Sequence, residues 1–210
     1  MPIPHIPQPD ILPVDDTLRL RKYDGESSFA LAWYQDPETV YLVDGVREPY
    51  TPEKLRRMYE YLDRQGELYW IEQKEAGRWL PIGDVTFWQT DMPIVIGDPA
   101  RRGRGIGRRV IRTLVERGKA LGYRTLWVDE IYRWNEGSRR CFESLGFRAC
   151  EATEKGDRFR LDLFEPQLPT ERRGSPLKPP NSFSAGSPLL PAFSPAVGRS
   201  SPRRPSPALR

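Results

Sequence analysis

Residues 94–109 read Ile-Val-Ile-Gly-Asp-Pro-Ala-Arg-Arg-Gly-Arg-Gly-Ile-Gly-Arg-Arg. A short apolar run, Ile94, Val95 and Ile96, ends in the turn residues Gly97, Asp98 and Pro99. An Arg- and Gly-rich loop follows. Beyond it Ile106, Val110, Leu114 and Leu121 recur at helical spacing with charged residues between them. Gly122 stands where a helix-ending glycine is expected. The stretch therefore predicts a strand, a glycine loop and a helix N-terminus. Such an N-terminus binds anions, because the N–H groups of the first turn have no helical acceptor and the dipole is positive there. Glycines at 103, 105 and 107 let a backbone approach an anion without a Cβ in the way.

The loop is neither of two common phosphate loops. A Walker loop ends in Lys followed by Ser or Thr. Here Gly107 is followed by Arg108, Arg109 and Val110. A dinucleotide fingerprint needs Gly-x-Gly-x-x-Gly. Counting from Gly103 the third glycine falls on Arg108, and from Gly105 on Val110. The segment Arg102-Gly103-Arg104-Gly105-Ile106-Gly107 resembles instead the Gln/Arg-x-x-Gly-x-Gly/Ala loop of the GNAT superfamily of N-acetyltransferases. Within that superfamily, Ile-Gly-Asp before the loop looks most like the branch of ribosomal-protein N-terminal and aminoglycoside acetyltransferases.

A second match lies 28 residues after Gly107. Residues 135–147, Asn-Glu-Gly-Ser-Arg-Arg-Cys-Phe-Glu-Ser-Leu-Gly-Phe, are similar to the family's Asn-x-x-Ala/Ser-x-x-x-Tyr-x-x-x-Gly-Phe segment. The resemblance implies acetyl-coenzyme A as co-substrate and no metal. It places the pyrophosphate on Arg102, Gly103, Arg104, Gly105, Ile106, Gly107 and Arg108. It places the pantetheine arm along Ile94, Val95 and Ile96 and against Asn135, Ser138 and Phe142, where two central parallel strands splay into a V.

Outside these motifs the composition divides the chain. Residues 166–210 hold 11 of the 22 prolines, and seven cations against the single acid Glu171. That segment carries +6, which leaves −2 for residues 1–165 out of the total of +4. The basic character thus belongs to a Pro/Ser/Arg-rich tail expected to be disordered, and does not indicate a nucleic-acid face. Residues 1–15 read as a Pro-rich leader, and 16–165 as the folded domain. No apolar run reaches the roughly 20 residues of a membrane helix, and the first residues lack the pattern of a secretory signal. Cys141 and Cys150 make neither a disulfide framework nor a zinc site, so a cytoplasmic setting is expected. The lone histidine, His5, excludes a Ser-His-Asp triad and any His-based metal site.

In chain order, alternation over 17–23 predicts a strand with Leu18 and Leu20 inward, and 27–34 a short helix stopped at Asp36-Pro37. Thr51-Pro52 opens a helix with Leu55, Met58, Tyr59 and Leu62 on one face. Strands follow at 68–73, 79–89 and 92–97, then the helix 104–121, a strand at 125–131, a helix at 136–145 and a final pair at 147–152 and 158–164. This order of about seven strands and flanking helices is α+β, and agrees with the mixed, twisted sheet of the acetyltransferase fold.

The implied chemistry is attack of an amine on a thioester. An aliphatic amine has a pKa of about 10 and must lose a proton first. Asp91, just before the 92–97 strand, and Glu130, on the neighbouring strand, are the candidate bases. A backbone N–H of the 94–97 strand is the family's oxyanion donor. The family's tyrosine general acid is replaced by Phe142, which cannot donate a proton; Cys141 beside it is a candidate substitute, or a small buried residue of the helix face. Trp33, Tyr34, Tyr41, Tyr50 and Tyr59 fall where the family builds its acceptor side. The acceptor is a small-molecule amine, an aminoglycoside or a protein N-terminus. The competing reading is an acyl-coenzyme A-binding module that has lost catalysis and works through its tail, where Pro188-Leu-Leu-Pro191 resembles an SH3-type ligand.

Overall fold

The computed structural model describes Ile3 and residues 5–164; the tail and its Pro188-Leu-Leu-Pro191 segment lie outside the described residues. The strands β1 (Ile11–Asp15) and β2 (Leu18–Lys22) lead to α1 (Leu31–Tyr34), α2 (Pro37–Asp44) and α3 (Pro52–Gln65). Then come β3 (Glu67–Glu75), β4 (Arg78–Phe87), β5 (Ile94–Ile96) and α4 (Ile106–Ala120). The chain continues through β6 (Thr125–Tyr132), α5 (Glu136–Glu143), β7 (Arg148–Ala152) and β8 (Gly156–Asp162). The α+β class holds, with eight strands rather than seven. They form a five-stranded sheet, β1-β2-β3-β4-β5, and a three-stranded sheet, β6-β8-β7. Every ladder is antiparallel, so the break between the sheets falls between β5 and β6, where the splay was expected.

Two apolar cores sandwich the larger sheet. On one face α4 and α5 bury Ile106, Val110, Ile111, Leu114 and Phe142 against Leu18, Leu20, Ile71, Val85 and Phe87. On the other, the first three helices bury Tyr34, Val40, Leu55 and Tyr59 against Leu68 and Trp70. Thr51 caps α3 by accepting the Lys54 N–H at 3.2 Å, and α4 ends on Gly122 in the left-handed region.

Two elements differ from the sequence reading. The leader does not run to residue 15: Ile11–Asp15 pairs with β2, and Ile3 and Gln8 are buried, the Gln8 amide donating to the Leu68 carbonyl at 2.8 Å. Pro13 fits because β1 is an edge strand, whose outer N–H needs no ladder partner. The helix α2 was missed because Asp36-Pro37 was taken only as a stop. Asp36 is its N-cap, accepting the N–H groups of Glu38 and Thr39, and Pro37 occupies the first turn, where its missing N–H costs nothing.

Under the first three helices lies an acid. Asp84 of β4 is fully buried, and the hydroxyls of Tyr34 and Tyr59 donate to its Oδ2 at 3.1 and 3.0 Å. Burial raises its pKa to about 7, against the two hydrogen bonds that lower it. A carboxyl raised in the folded state stabilises fully below its unfolded value of 3.8 and loses that contribution as pH rises toward 7. Asn at this position keeps an oxygen for both hydroxyls and cannot ionise. The melting temperature of Asp84→Asn relative to the native protein should therefore rise by several degrees between pH 5 and pH 8, as read by calorimetry.

Candidate active site

The two sheets meet at a vertex. The Trp127 N–H of β6 donates to the Gln89 carbonyl at 3.0 Å, and two residues on the Asp129 N–H donates to Asp91 Oδ1 at 3.0 Å. Both segments advance together, so β5 and β6 leave the vertex in the same direction, without ladder hydrogen bonds between them among the described residues. The V so formed is a cleft of about 640 Å³, walled by β5, β6, the glycine loop, α5 and α2.

Register decides what β5 offers this cleft. The Thr86 N–H donates to the Pro93 carbonyl and the Gly97 N–H to the Ile82 carbonyl. Alternation in an antiparallel ladder then points the Val95 N–H at β4. It leaves the N–H groups of Ile94 and Ile96 on the side facing the V.

At the far end of β5 the loop is built for an anion. Gly103 and Gly105 lie in the left-handed region, and a Cβ on either would meet open space. Their conformation, not crowding, is what demands glycine. The N–H groups from 103 through 108 have no acceptor among the described residues, and α4 has no side-chain cap. Gly107 faces Cys141, whose Sγ would lie 3.5 Å from an added Cβ, an ordinary contact distance, so a methyl group fits between α4 and α5 here.

The loop's arginines sort themselves. Arg101 bonds Asp98, Glu75 and Gln73, and Arg109 bonds Asp15 and Thr17. Arg102 donates to the Ile96 carbonyl at 2.9 Å and to Thr39 Oγ1 of α2 at 2.6 Å. Arg104 and Arg108 are left without a carboxylate partner among the described residues. Arg140 of α5, which the sequence reading did not single out, joins Arg108 in lining the cleft.

Opposite the loop, α2 lies across the V and is held on both sides. Arg102 grips its start. At its end, the Asn135 amide donates to the Leu42 carbonyl at 3.1 Å and the Trp134 indole to the Tyr41 carbonyl at 3.0 Å. Asn135 Oδ1 also caps α5, accepting the Ser138 N–H at 3.1 Å. Asn135 and Ser138 line the cleft as expected, but the Asn135 side chain serves the protein's own backbone at both ends.

Both candidate bases line the cleft, in different settings. Asp91 sits at the vertex. Its Oδ1 accepts the N–H groups of Met92 and Asp129, and burial raises its pKa to about 6. Glu130 lies within a bulge of β6 between Val128 and Ile131, which turns it toward the cleft while Ile131 stays buried. It accepts a hydrogen bond from the Thr153 hydroxyl. Phe142 is 1% exposed and packs edge-on against Phe147, so it is cleft wall and core at once. Burial raises the pKa of the neighbouring Cys141 thiol, against the attraction of Arg108. Thr39, Leu42, Val43 and Tyr132 also line the cleft and were not foreseen. The three from α2 went unread with their helix, and Tyr132 lies one residue past the strand end that was expected. No group of three or more metal-ligating side chains occurs among the described residues, nor any helix long and apolar enough to cross a membrane.

A strand that splays from its neighbour beside a basic glycine loop is the arrangement that the acetyltransferase resemblance implies. The family model described as "Acetyltransferase (GNAT) domain" matches residues 17–148, and the chain belongs to that family. Among curated proteins, Protein SPT10 of Saccharomyces cerevisiae is 43% identical over 47 residues, 22% of this chain; the match spans only 7% of the length of that relative. A domain from Methanocaldococcus jannaschii has the same fold, with a TM-score of 0.62 at 22% identity, covering 70% of this chain and 99% of its own. Spermidine N-acetyltransferase from Vibrio cholerae, solved with CoA and spermine, gives 0.57 at 17% identity over 71% of this chain and 97% of its own.

The grip of Arg102 on α2 is directly testable. Arg102→Ala removes two hydrogen bonds from a charged donor, each contributing about 1.5–3 kcal/mol. Amide exchange across residues 37–44 should accelerate at least tenfold in that variant, while exchange in α4 beyond its first turn stays unchanged.

Proposed function

We propose that the protein transfers the acetyl group of acetyl-coenzyme A to a primary amine by direct attack. The acceptor classes are a small-molecule amine, an aminoglycoside or a protein N-terminus. The observation that carries this reading is the joint placement, along one cleft, of an anion nest at 103–108 and a carboxylate of raised pKa at Asp91.

The unpaired N–H groups of Gly103, Arg104, Gly105, Ile106, Gly107 and Arg108 receive the pyrophosphate, and Arg104 and Arg108 complement its charge. The pantetheine arm lies along Ile94, Val95 and Ile96, with Asn135, Ser138 and Phe142 on the other side. This brings the thioester toward Asp91, and the carbonyl oxygen onto an N–H of Ile94 or Ile96. The arriving ammonium gives a proton to Asp91, which is ionised at pH 7 and has a pKa near enough to neutral to act as a base. The freed nitrogen lone pair attacks the thioester carbon, forming the C–N bond. The tetrahedral oxyanion then collapses, the C–S bond breaks and its electron pair leaves on sulfur, while the second proton, now on the cationic nitrogen, passes to the departing thiolate or to water to give the neutral amide. A thiolate, with a pKa of about 8.5 on the cysteine scale, needs little help to leave, which fits a phenylalanine at Phe142 and leaves Cys141 no required role.

Acetyl transfer to a panel of amines, peptides and aminoglycosides, followed by thiol release, tests the reading. Asp91→Asn keeps an oxygen for the Met92 and Asp129 N–H groups, so the vertex stays intact. Its kcat/KM should fall about 100-fold or more at pH 7 and recover toward pH 10, where the amine is already neutral. By calorimetry, Arg104→Ala and Arg108→Ala should each weaken coenzyme A binding about fivefold. Arg109→Ala, whose guanidinium serves Asp15, should leave it unchanged.

A further inference from the structure

At six places among the described residues, four of them the following, the chain sets an aromatic ring and a carboxylate around one of its own cations. Arg19 lies 4.5 Å from the Trp79 ring centroid and 2.7 Å from Glu72. Arg47 lies 4.4 Å from Tyr41 and 3.2 Å from Glu38. Lys54 lies 3.9 Å from Tyr50 and 3.0 Å from Asp44. Arg158 lies 5.5 Å from Trp127 and 2.9 Å from Asp129. Ring quadrupole and carboxylate attract the same cation, so the two together form a recognition unit.

A further ring and carboxylate face the cleft. Glu130, within the bulge of β6, and Tyr132 flank Ile131, which is turned into the core, so both lie on the side away from it. Both line the cleft. Among the described residues neither has a Lys or Arg partner; Glu130 is hydrogen-bonded only by the Thr153 hydroxyl. Trp134 covers one face of Tyr132 at 4.7 Å and stacks in turn on Tyr41, the ring beneath Arg47. Among the described residues the stack of three rings thus carries a cation at its Tyr41 end and none at its cleft end. The charges of Glu130 and Asp44 add to burial in holding the Tyr132 phenol above its usual range, the field in which a cation is favoured.

We infer that this unit binds a second cationic group of the acceptor, so that the preferred acceptors are diamines rather than monoamines. The inference rests on the acetyltransferase reading and names its substrate class. The attacking nitrogen must be neutral when it reacts, so a charge recognised throughout the reaction belongs to another group. Asp91 at the vertex and the Glu130–Tyr132 unit then divide the work: one takes the proton, the other holds the charge that stays.

The test compares n-alkylamines with α,ω-diamines of equal carbon number, from three to eight carbons, in acetyl transfer with thiol release. A cation–π and carboxylate contact of 1–2 kcal/mol corresponds to about tenfold. The native enzyme should prefer a diamine over its matched monoamine by about tenfold in kcat/KM, mainly through KM. Tyr132→Phe should keep the preference, because the ring face remains. Tyr132→Leu and Glu130→Gln should each reduce it at least threefold, with coenzyme A binding by calorimetry unchanged as the check on folding. Equal use of mono- and diamines, or a preference that survives Tyr132→Leu, overturns the inference and leaves the enzyme reading standing. So does a Glu130→Gln loss on monoamines that disappears at pH 10, which would make Glu130 the base. Absence of thiol release with every amine overturns both.

Discussion

Every backbone donor in a sheet needs an acceptor, and the site exists because one acceptor is a side chain. Where the Gln89 carbonyl has taken the Trp127 N–H, the Asp91 carboxylate takes the next N–H in line, that of Asp129. Past that point no ladder joins β5 to β6. The sheet is divided, β5 keeps N–H groups facing a gap, and β6 can bulge without breaking pairings to β5. An amide left without a partner costs about 1–3 kcal/mol if water is excluded from it. A polar ligand that lies along β5 therefore recovers what the splay forgoes. The cleft, the N–H groups of β5 that face it and the aim of Glu130 all descend from the hydrogen bond of a single carboxylate.

Charge is sorted along the cleft by what the protein has already neutralised. Its loop end is rich in arginine, but Arg101, Arg102 and Arg109 are consumed by internal partners, leaving the field of the helix N-terminus with Arg104 and Arg108. Its vertex end carries Asp91, Asp129 and Glu130, of which Asp129 is paired with Arg158. A co-substrate that is anionic at one end and an amine that arrives as a cation are drawn to opposite ends, which orients both before any close contact forms.

The sequence told most where a physical signal was local. The helix after the glycine loop, the strand with Leu18 and Leu20 inward, and the Thr51-Pro52 start were readable because periodicity and caps act within a few residues. The two misread elements both involved proline, whose meaning depends on what lies across from it. Pro13 looked like leader because nothing local says that its strand is an edge, and Pro37 looked like a stop because Asp-Pro ends one helix as readily as it starts another. The motif glycines were legible for the same local reason, a required positive φ. The partners of the motif side chains were not: that Arg102 and Asn135 reach α2, or that Asp91 bonds β6, depends on contacts 38 to 93 residues apart.

The manner in which α2 is anchored bears on how such a protein diverges. At its C-terminal end the grips of Trp134 and Asn135 fall on carbonyl oxygens, which any amino acid supplies. Asp36 by its cap, Thr39 by its hydroxyl, Val40 by its burial and Gly45, left-handed and pressed against Trp134, are specified by identity. The carbonyl of Leu42 is gripped whatever its side chain. Leu42 and Val43, which touch the cleft, are thus the positions on which new specificity can arise, by substitution on one short helix without renegotiating the cofactor loop.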